Sequence, residues 1–303
     1  MSDSTTTNPA LYALQSLSNT ELSQLLDSEE FYKKVRNTIG RKILYENQIH
    51  DKNVVEYNCS SQLLKKILSH IESVWTEYGA TEPHWSVVST STFRSDVIDQ
   101  NIEAFYLSGK NEAINLRRLL KRTNIDTSSF QSTLEYGCGV GRVTRWLADI
   151  FPQVYGADIS SNHLSLAETY FHQENVGNIT TFSINSLEDI KQLPNYDFLY
   201  SKIVFQHNPP PVMYLLLDTL CEKINSGGAG VFQIPTYCLN YSFSVSDYIE
   251  SMEEIDRMEM HVLPQPVVFD ILKNHNCHCR EVSRDHLVAT MDFVSSTFVF
   301  VKD

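Results

Sequence analysis

The chain has no run approaching the ~18 consecutive apolar residues that a membrane-spanning helix needs, so no such span is expected. Its first eight residues, Met-Ser-Asp-Ser-Thr-Thr-Thr-Asn, hold neither the basic start nor the apolar core of a secretory leader. They read as a short disordered tail. Basic charge is scarce. In 303 residues, 24 Lys and Arg stand against 37 Asp and Glu, a net of −13. Residues 1–130 carry 16 acids and 14 basic residues, a net of −2, whereas residues 131–303 carry 21 and 10, a net of −11. A surface of that sign repels phosphate backbones, which argues against a nucleic-acid partner. The six cysteines, Cys59, Cys138, Cys221, Cys238, Cys277 and Cys279, follow no disulfide framework, so free thiols in a reducing cytoplasm are expected. His275, Cys277, His278 and Cys279 crowd together, but an extended chain sends neighbours to opposite faces and no second ligand pair follows. Chemistry without a metal is the expectation.

Two regimes of patterning are present. Apolar residues at three- and four-residue steps predict helices over much of 9–80, with N-caps at Asn19 and at Asp27-Ser28. A polar break at 80–95 precedes helical stretches at about 95–107 and 110–123, with Gly109 taken as the break between them. From 132 onward strand-like runs (132–136, 153–158, 179–184, 196–202, 229–234) alternate with helical ones (141–151, 161–173, 211–224, and a short turn at 186–191). That alternation predicts an α/β, doubly wound parallel sheet. A helix at 266–274 and two β-rich runs, 277–289 and 292–302, predict an antiparallel last strand. The expected division is a helical N-terminal region, 1–128, serving as cap, lid or homodimer contact, and a catalytic domain, 129–303, with a substrate-side insertion at 235–262.

Residues 134–142 read Leu-Glu-Tyr-Gly-Cys-Gly-Val-Gly-Arg, and Asp158 follows Gly141 by 17 positions. Strand, glycine turn, helix and a second strand ending in an acid form half of a nucleotide-binding βαβ unit. Asp158 falls where a carboxylate accepts ribose hydroxyls. A dinucleotide fingerprint needs its third glycine where this chain has Arg142, and it lacks the acid Glu135 before the turn. The order E-x-G-x-G-x-G resembles motif I of the class I S-adenosylmethionine-dependent methyltransferases. The final hairpin is similar to that fold's seventh strand inserted between the fifth and sixth. Together these cover roughly residues 132–303.

The resemblance implies S-adenosylmethionine as cofactor and S-adenosylhomocysteine as product. It implies Glu135, Gly137, Cys138, Gly139 and Gly141 on the methionine side, Asp158 on the ribose and Ile159 against adenine. Asn185, Ser186 and Leu187, after the third strand of the domain, are adenine candidates; the alternative for this turn is a helix N-cap. Lys202, at the end of the fourth, is a further cofactor-side candidate. Arg94 is assigned to the methionine carboxylate and Tyr106 to closure over the cofactor. The segment Phe-Gln-His-Asn-Pro-Pro-Pro resembles a bacterial group associated with sugar and glycan modification, which makes His207 the candidate general base. His261 is a second catalytic candidate. Gln206, Gln233, Tyr237, Tyr241, His84 and Trp85 are candidates for the acceptor side. Asn208-Pro209-Pro210 is followed by Pro211, not by the aromatic that stacks on a flipped base in amino-methylating nucleic-acid enzymes. The expected reaction is O-methylation of a sugar, glycan or other small hydroxylated acceptor. A small-molecule amine or carboxylate acceptor, an NAD-linked oxidoreductase and a non-catalytic partner are the alternatives.

Overall fold

A computed structural model describes residues 53–254, 258–285, 287–288 and 292–303. All of these except Asp292 fall within one unit, Asn53–Ala289 with Phe293–Asp303. The helices and N-caps expected before residue 53 lie outside the described residues.

In chain order, β1 (Val54–Val55) is followed by α1 (Ser61–Thr81), α2 (Pro83–Val87) and α3 (Ile102–Arg122). Then come β2 (Ser132–Tyr136), α4 (Thr144–Leu147), β3 (Gln153–Asp158), α5 (Ser161–Gln173), β4 (Ile179–Ser183), α6 (Leu187–Gln192), β5 (Tyr196–Ser201) and α7 (Pro210–Lys223). β6 (Ile224–Cys238), β7 (Ser242–Phe243), α8 (Val245–Ser251), α9 (Gln265–Asn274), β8 (Cys277–Arg284) and β9 (Phe293–Lys302) complete the unit. The seven-stranded sheet runs β4-β3-β2-β5-β6-β9-β8. Its first five strands are parallel, and β9 lies antiparallel to both β6 and β8. The expected late insertion of an antiparallel strand is therefore present, between β6 and β8.

The central strands β2 and β5 are buried on both faces. Leu134 and Tyr136 of β2 face one core with Ile67, Leu68 and Ile71 of α1 and Leu216, Leu217 and Leu220 of α7. Phe198 and Tyr200 of β5 face the other, with Leu116 and Leu120 of α3 and Leu147 of α4. α1 begins at Ser60, whose hydroxyl accepts the Leu63 N–H, and packs on α5 and α7. Thus the helices at 61–81 and 102–122, placed by the sequence reading in a separate N-terminal region, pack in the same unit as the sheet.

Gly109 differs from its expected role. α3 passes through it unbroken, and a Cβ there would lie 1.9 Å from the Arg142 carbonyl oxygen. The glycine permits close approach of a helix to the glycine turn rather than ending a helix. The helix expected over 141–151 shortens to one turn, 144–147. β6 extends on both sides of the expected strand, from 224 to 238. His275, at the end of α9, pairs with Asp218, and His278 of β8 pairs with Asp303.

Candidate active site

The carboxyl ends of β2, β3 and β5 open on one cavity of about 900 Å³, counted to its open mouth. This is where ligands sit in parallel α/β sheets. After β2 the chain turns through Gly137, Gly139 and Gly141, with φ of 75°, 53° and 77°. Those angles strain any residue bearing a Cβ. The Gly137 and Cys138 N–H groups both donate to the Ala157 carbonyl, at 2.7 and 3.1 Å, which locks the turn onto β3.

Two carboxylates frame the turn. Asp158 Oδ2 accepts the Gly139 N–H at 2.8 Å, and Oδ1 accepts the Ser160 N–H at 2.9 Å. Each oxygen keeps a further lone pair, so hydroxyls can add to these bonds. Glu135 is buried and accepts the Thr144 hydroxyl at 2.6 Å. Burial pushes its carboxyl up to about 8, against the opposing pull of Thr144 and the Arg142 charge.

Glu135, Gly137, Cys138, Gly139, Asp158, Ile159, Lys202 and His207 all line the cavity, so the structure brings these sequence candidates together. Gly141 belongs to the turn but packs on Phe171. Others go elsewhere. Arg94 lies over the Trp85 ring at 4.1 Å and pairs with Glu82 at 3.2 Å, on the exposed side of the chain. Tyr106 stacks on Tyr170, centroids 3.5 Å apart, and its carbonyl accepts the Trp146 indole N–H. His84 sits edge-on to Phe105. Ser186 caps α6, Asn185 takes the Ser183 hydroxyl on its Oδ1, and Leu187 enters the core. Ser186 thus has the N-cap role.

His207 lines the cavity with little freedom. Its Nδ1 lies 2.9 Å from the Glu259 carbonyl oxygen and its Nε2 3.1 Å from the Gln206 amide nitrogen. Burial lowers its pKa to about 4, so the ring is neutral at pH 7. Trp75 of α1 covers it, ring centroids 5.3 Å apart. Tyr241 and His261 meet at 2.8 Å beside Glu259, which also takes the Tyr248 hydroxyl at 2.7 Å. Tyr237 stands at the far end of β6, opposite Val294. Gln206 and Gln233 are buried behind the cavity wall.

The sequence reading expected a cap or lid from residues 1–128 and named His84 and Trp85 in it, but not Leu68, Ile71, Trp75, Ser86 and Val87 of α1 and α2, which supply a cavity wall. It also missed Arg142, which lines the cavity, is nine-tenths buried and has an Nε without a hydrogen-bond partner among the described residues. Its position directly after the last glycine was the available signal. No group of three or more His, Cys, Asp or Glu is placed to hold a metal among the described residues, nor is any helix there long and apolar enough to cross a membrane.

Residues 133–228 match the family model described as a methyltransferase domain. The fold of the unit is that of the class I methyltransferases. A Bacillus cereus protein named malonyl-[acyl-carrier protein] O-methyltransferase is 32% identical over 99 residues, 32% of this chain and 35% of that protein. The chain thus spans about a third of the length of that curated relative. Among solved structures, magnesium protoporphyrin IX methyltransferase from Synechocystis with bound S-adenosylhomocysteine aligns with a TM-score of 0.52 at 15% identity, over 77% of this chain and 100% of the other. The same enzyme with bound S-adenosylmethionine gives 0.51 at 14% identity, over 77% and 97%. At such identity the likeness is one of fold.

Proposed function

We propose that the chain is an S-adenosylmethionine-dependent methyltransferase, and that its acceptor is an oxygen already carrying negative charge, a carboxylate. One observation carries the first part. Glu135, the glycine turn and Asp158 line a single cavity, an arrangement suited to an ammonium at one end and a ribose at the other. Arg142, which lines the same cavity, offers a buried, partly unsatisfied guanidinium for the methionine carboxylate, the role expected of Arg94 from the sequence. The sulfonium is an activated donor when bound, so the chain's own task is alignment of the acceptor with the methyl group.

The acceptor follows from His207. A hydroxyl must lose its proton, whereas a carboxylate need not. With a pKa near 4 and its Nε2 facing the Gln206 amide, His207 is a weak and occupied base at pH 7. The O-methyltransferase name of the Bacillus relative is in keeping with an oxygen acceptor. A sugar or glycan hydroxyl is the second reading, favoured by the polar Tyr241–His261–Glu259–Tyr248 cluster of the 235–262 insertion. The test is His207→Ala with paired carboxylate and hydroxyl acceptors. A rate to the carboxylate kept within about tenfold supports the first reading; a loss of ~100-fold or more, confined to hydroxyl acceptors, supports the second.

A further inference from the structure

Gln233 of β6 is fully buried, and every polar atom of its amide is engaged. Its Oε1 accepts the Ile203 N–H at 2.8 Å. Its Nε2 donates to Gln206 Oε1 at 3.0 Å and to Ser295 Oγ at 2.6 Å. Ile203 lines the cavity and has φ of 61°. A β-branched residue with positive φ is an outlier that persists only where its surroundings hold it.

The direction of this chain of bonds is set at both ends. The Ile203 N–H can only donate, so Gln233 must turn its oxygen toward it and its NH2 toward Gln206. Gln206 must then turn its oxygen to Gln233 and its own NH2 to His207 Nε2. His207 Nε2 therefore accepts, and its proton sits on Nδ1. The far end agrees, because the Glu259 carbonyl facing Nδ1 at 2.9 Å can only accept. Two amide orientations and one tautomer, each ambiguous alone, are fixed by two backbone groups.

We infer that Gln233 is a positioning residue, which clamps the Ile203 turn at the cavity wall and, through Gln206, holds His207 in the Nδ1–H tautomer with its Nε2 lone pair occupied. The tautomer follows from geometry alone; only its bearing on methyl transfer rests on the proposed function. Ser295 is bonded to the same amide but lies off the path to His207, which makes it an internal control.

Gln233→Glu reverses the pattern. A carboxylate can still accept from Ile203 but cannot donate to Gln206, whose amide then flips and turns its oxygen to His207 Nε2. His207 now faces two acceptors and favours the doubly protonated form. The other charged or titratable groups around it, His261 and the Glu259 carboxylate with its neighbours Tyr248 and His70, are unchanged.

Imidazole 15N shifts of His207 in the full chain test this. In the wild type the neutral ring is expected to show protonated Nδ1 and bare Nε2, and bare Nδ1 overturns the inference without any variant. In Gln233→Glu the His207 titration is expected to rise by about one pH unit or more, while Ser295→Ala leaves it where it was. An unmoved titration in a folded Gln233→Glu, or an equal shift in both variants, overturns it. If Gln233→Glu does not fold, Gln233→Met removes the constraint and is expected to give a mixture of tautomers; an unchanged wild-type spectrum there counts against the relay. Calorimetry with S-adenosylhomocysteine on the same samples reports separately on the proposed function, since failure to bind leaves the tautomer result intact.

Discussion

The Thr144 hydroxyl donates to Glu135 at 2.6 Å, joining the first turn of α4 to the strand that precedes the glycine turn. The carboxyl it holds is buried and titrates near 8, so in the absence of ligand it is largely protonated at pH 7. An ammonium group arriving beside it favours the anion. Binding of S-adenosylhomocysteine should therefore release a proton at pH 6.5 to 7.5, read as a dependence of the calorimetric heat on buffer ionisation enthalpy. Glu135→Gln should abolish that dependence. The sign for stability follows from a folded pKa raised above the ordinary value. The contribution is fully present below about pH 4.3 and is lost as pH rises through 8, so the ligand-free chain should lose stability from this group over that window.

Arg142 separates two parts of the proposed cofactor. Arg142→Met should weaken S-adenosylhomocysteine by roughly 10- to 100-fold, the loss of a charge-assisted contact to a carboxylate. Methylthioadenosine, which lacks the amino acid end, should bind the variant and the wild type alike. Calorimetric titration with each compound reads both. Equal losses for the two compounds would mean that the arginine serves only to hold α3 through its bond to Ser108.

Acid lability should trace in part to His207. Its pKa is lowered by burial, so the unfolded chain takes up a proton between about pH 6.5 and 4 that the folded chain does not. Its contribution is present above pH 6.5 and is lost as pH falls. Between pH 7 and pH 5 this amounts to about 2 kcal/mol. Denaturant melts of the wild type and His207→Gln at those two pH values should differ by that amount in their pH dependence. Parallel behaviour would show that the ring is not held neutral.

Gly109→Ala should destabilise the fold at the place where α3 crosses the glycine turn. The new methyl would meet the Arg142 carbonyl, a backbone atom that cannot move aside cheaply. Overpacking of this kind costs about 1–3 kcal/mol, read as a lower thermal midpoint. An unchanged midpoint would imply that α3 sits farther from the glycine turn.

Legibility in the sequence followed the range of the interactions. Five strand positions and the antiparallel end were readable because each carries its own periodicity and turn residues. Glu135, the glycine turn, Asp158 and Ile159, assigned through the resemblance to the methyltransferase motif, meet at one cavity because a single βαβ unit holds them. Arg94 and Tyr106 do not line it, because their neighbours are set by packing: Arg94 finds Glu82 and Trp85, and Tyr106 finds Tyr170. Trp75 and Leu68 reached the cavity through the crossing of α1 over the sheet, which no pattern within α1 records. Gly109 shows the same limit, since a helix break and a close crossing look alike until Arg142 is beside it. Gln206 and Gln233, expected on the acceptor side, are instead linked in a buried chain behind His207.

Isothermal titration of the purified chain with S-adenosylhomocysteine bears most directly on the assignment of the cavity. One molecule should bind per chain, and Asp158→Ala, which removes both the ribose acceptor and the anchor of Gly139, should weaken it at least tenfold. Absence of binding by a folded chain, or equal affinity in the Asp158 variant, would contradict it.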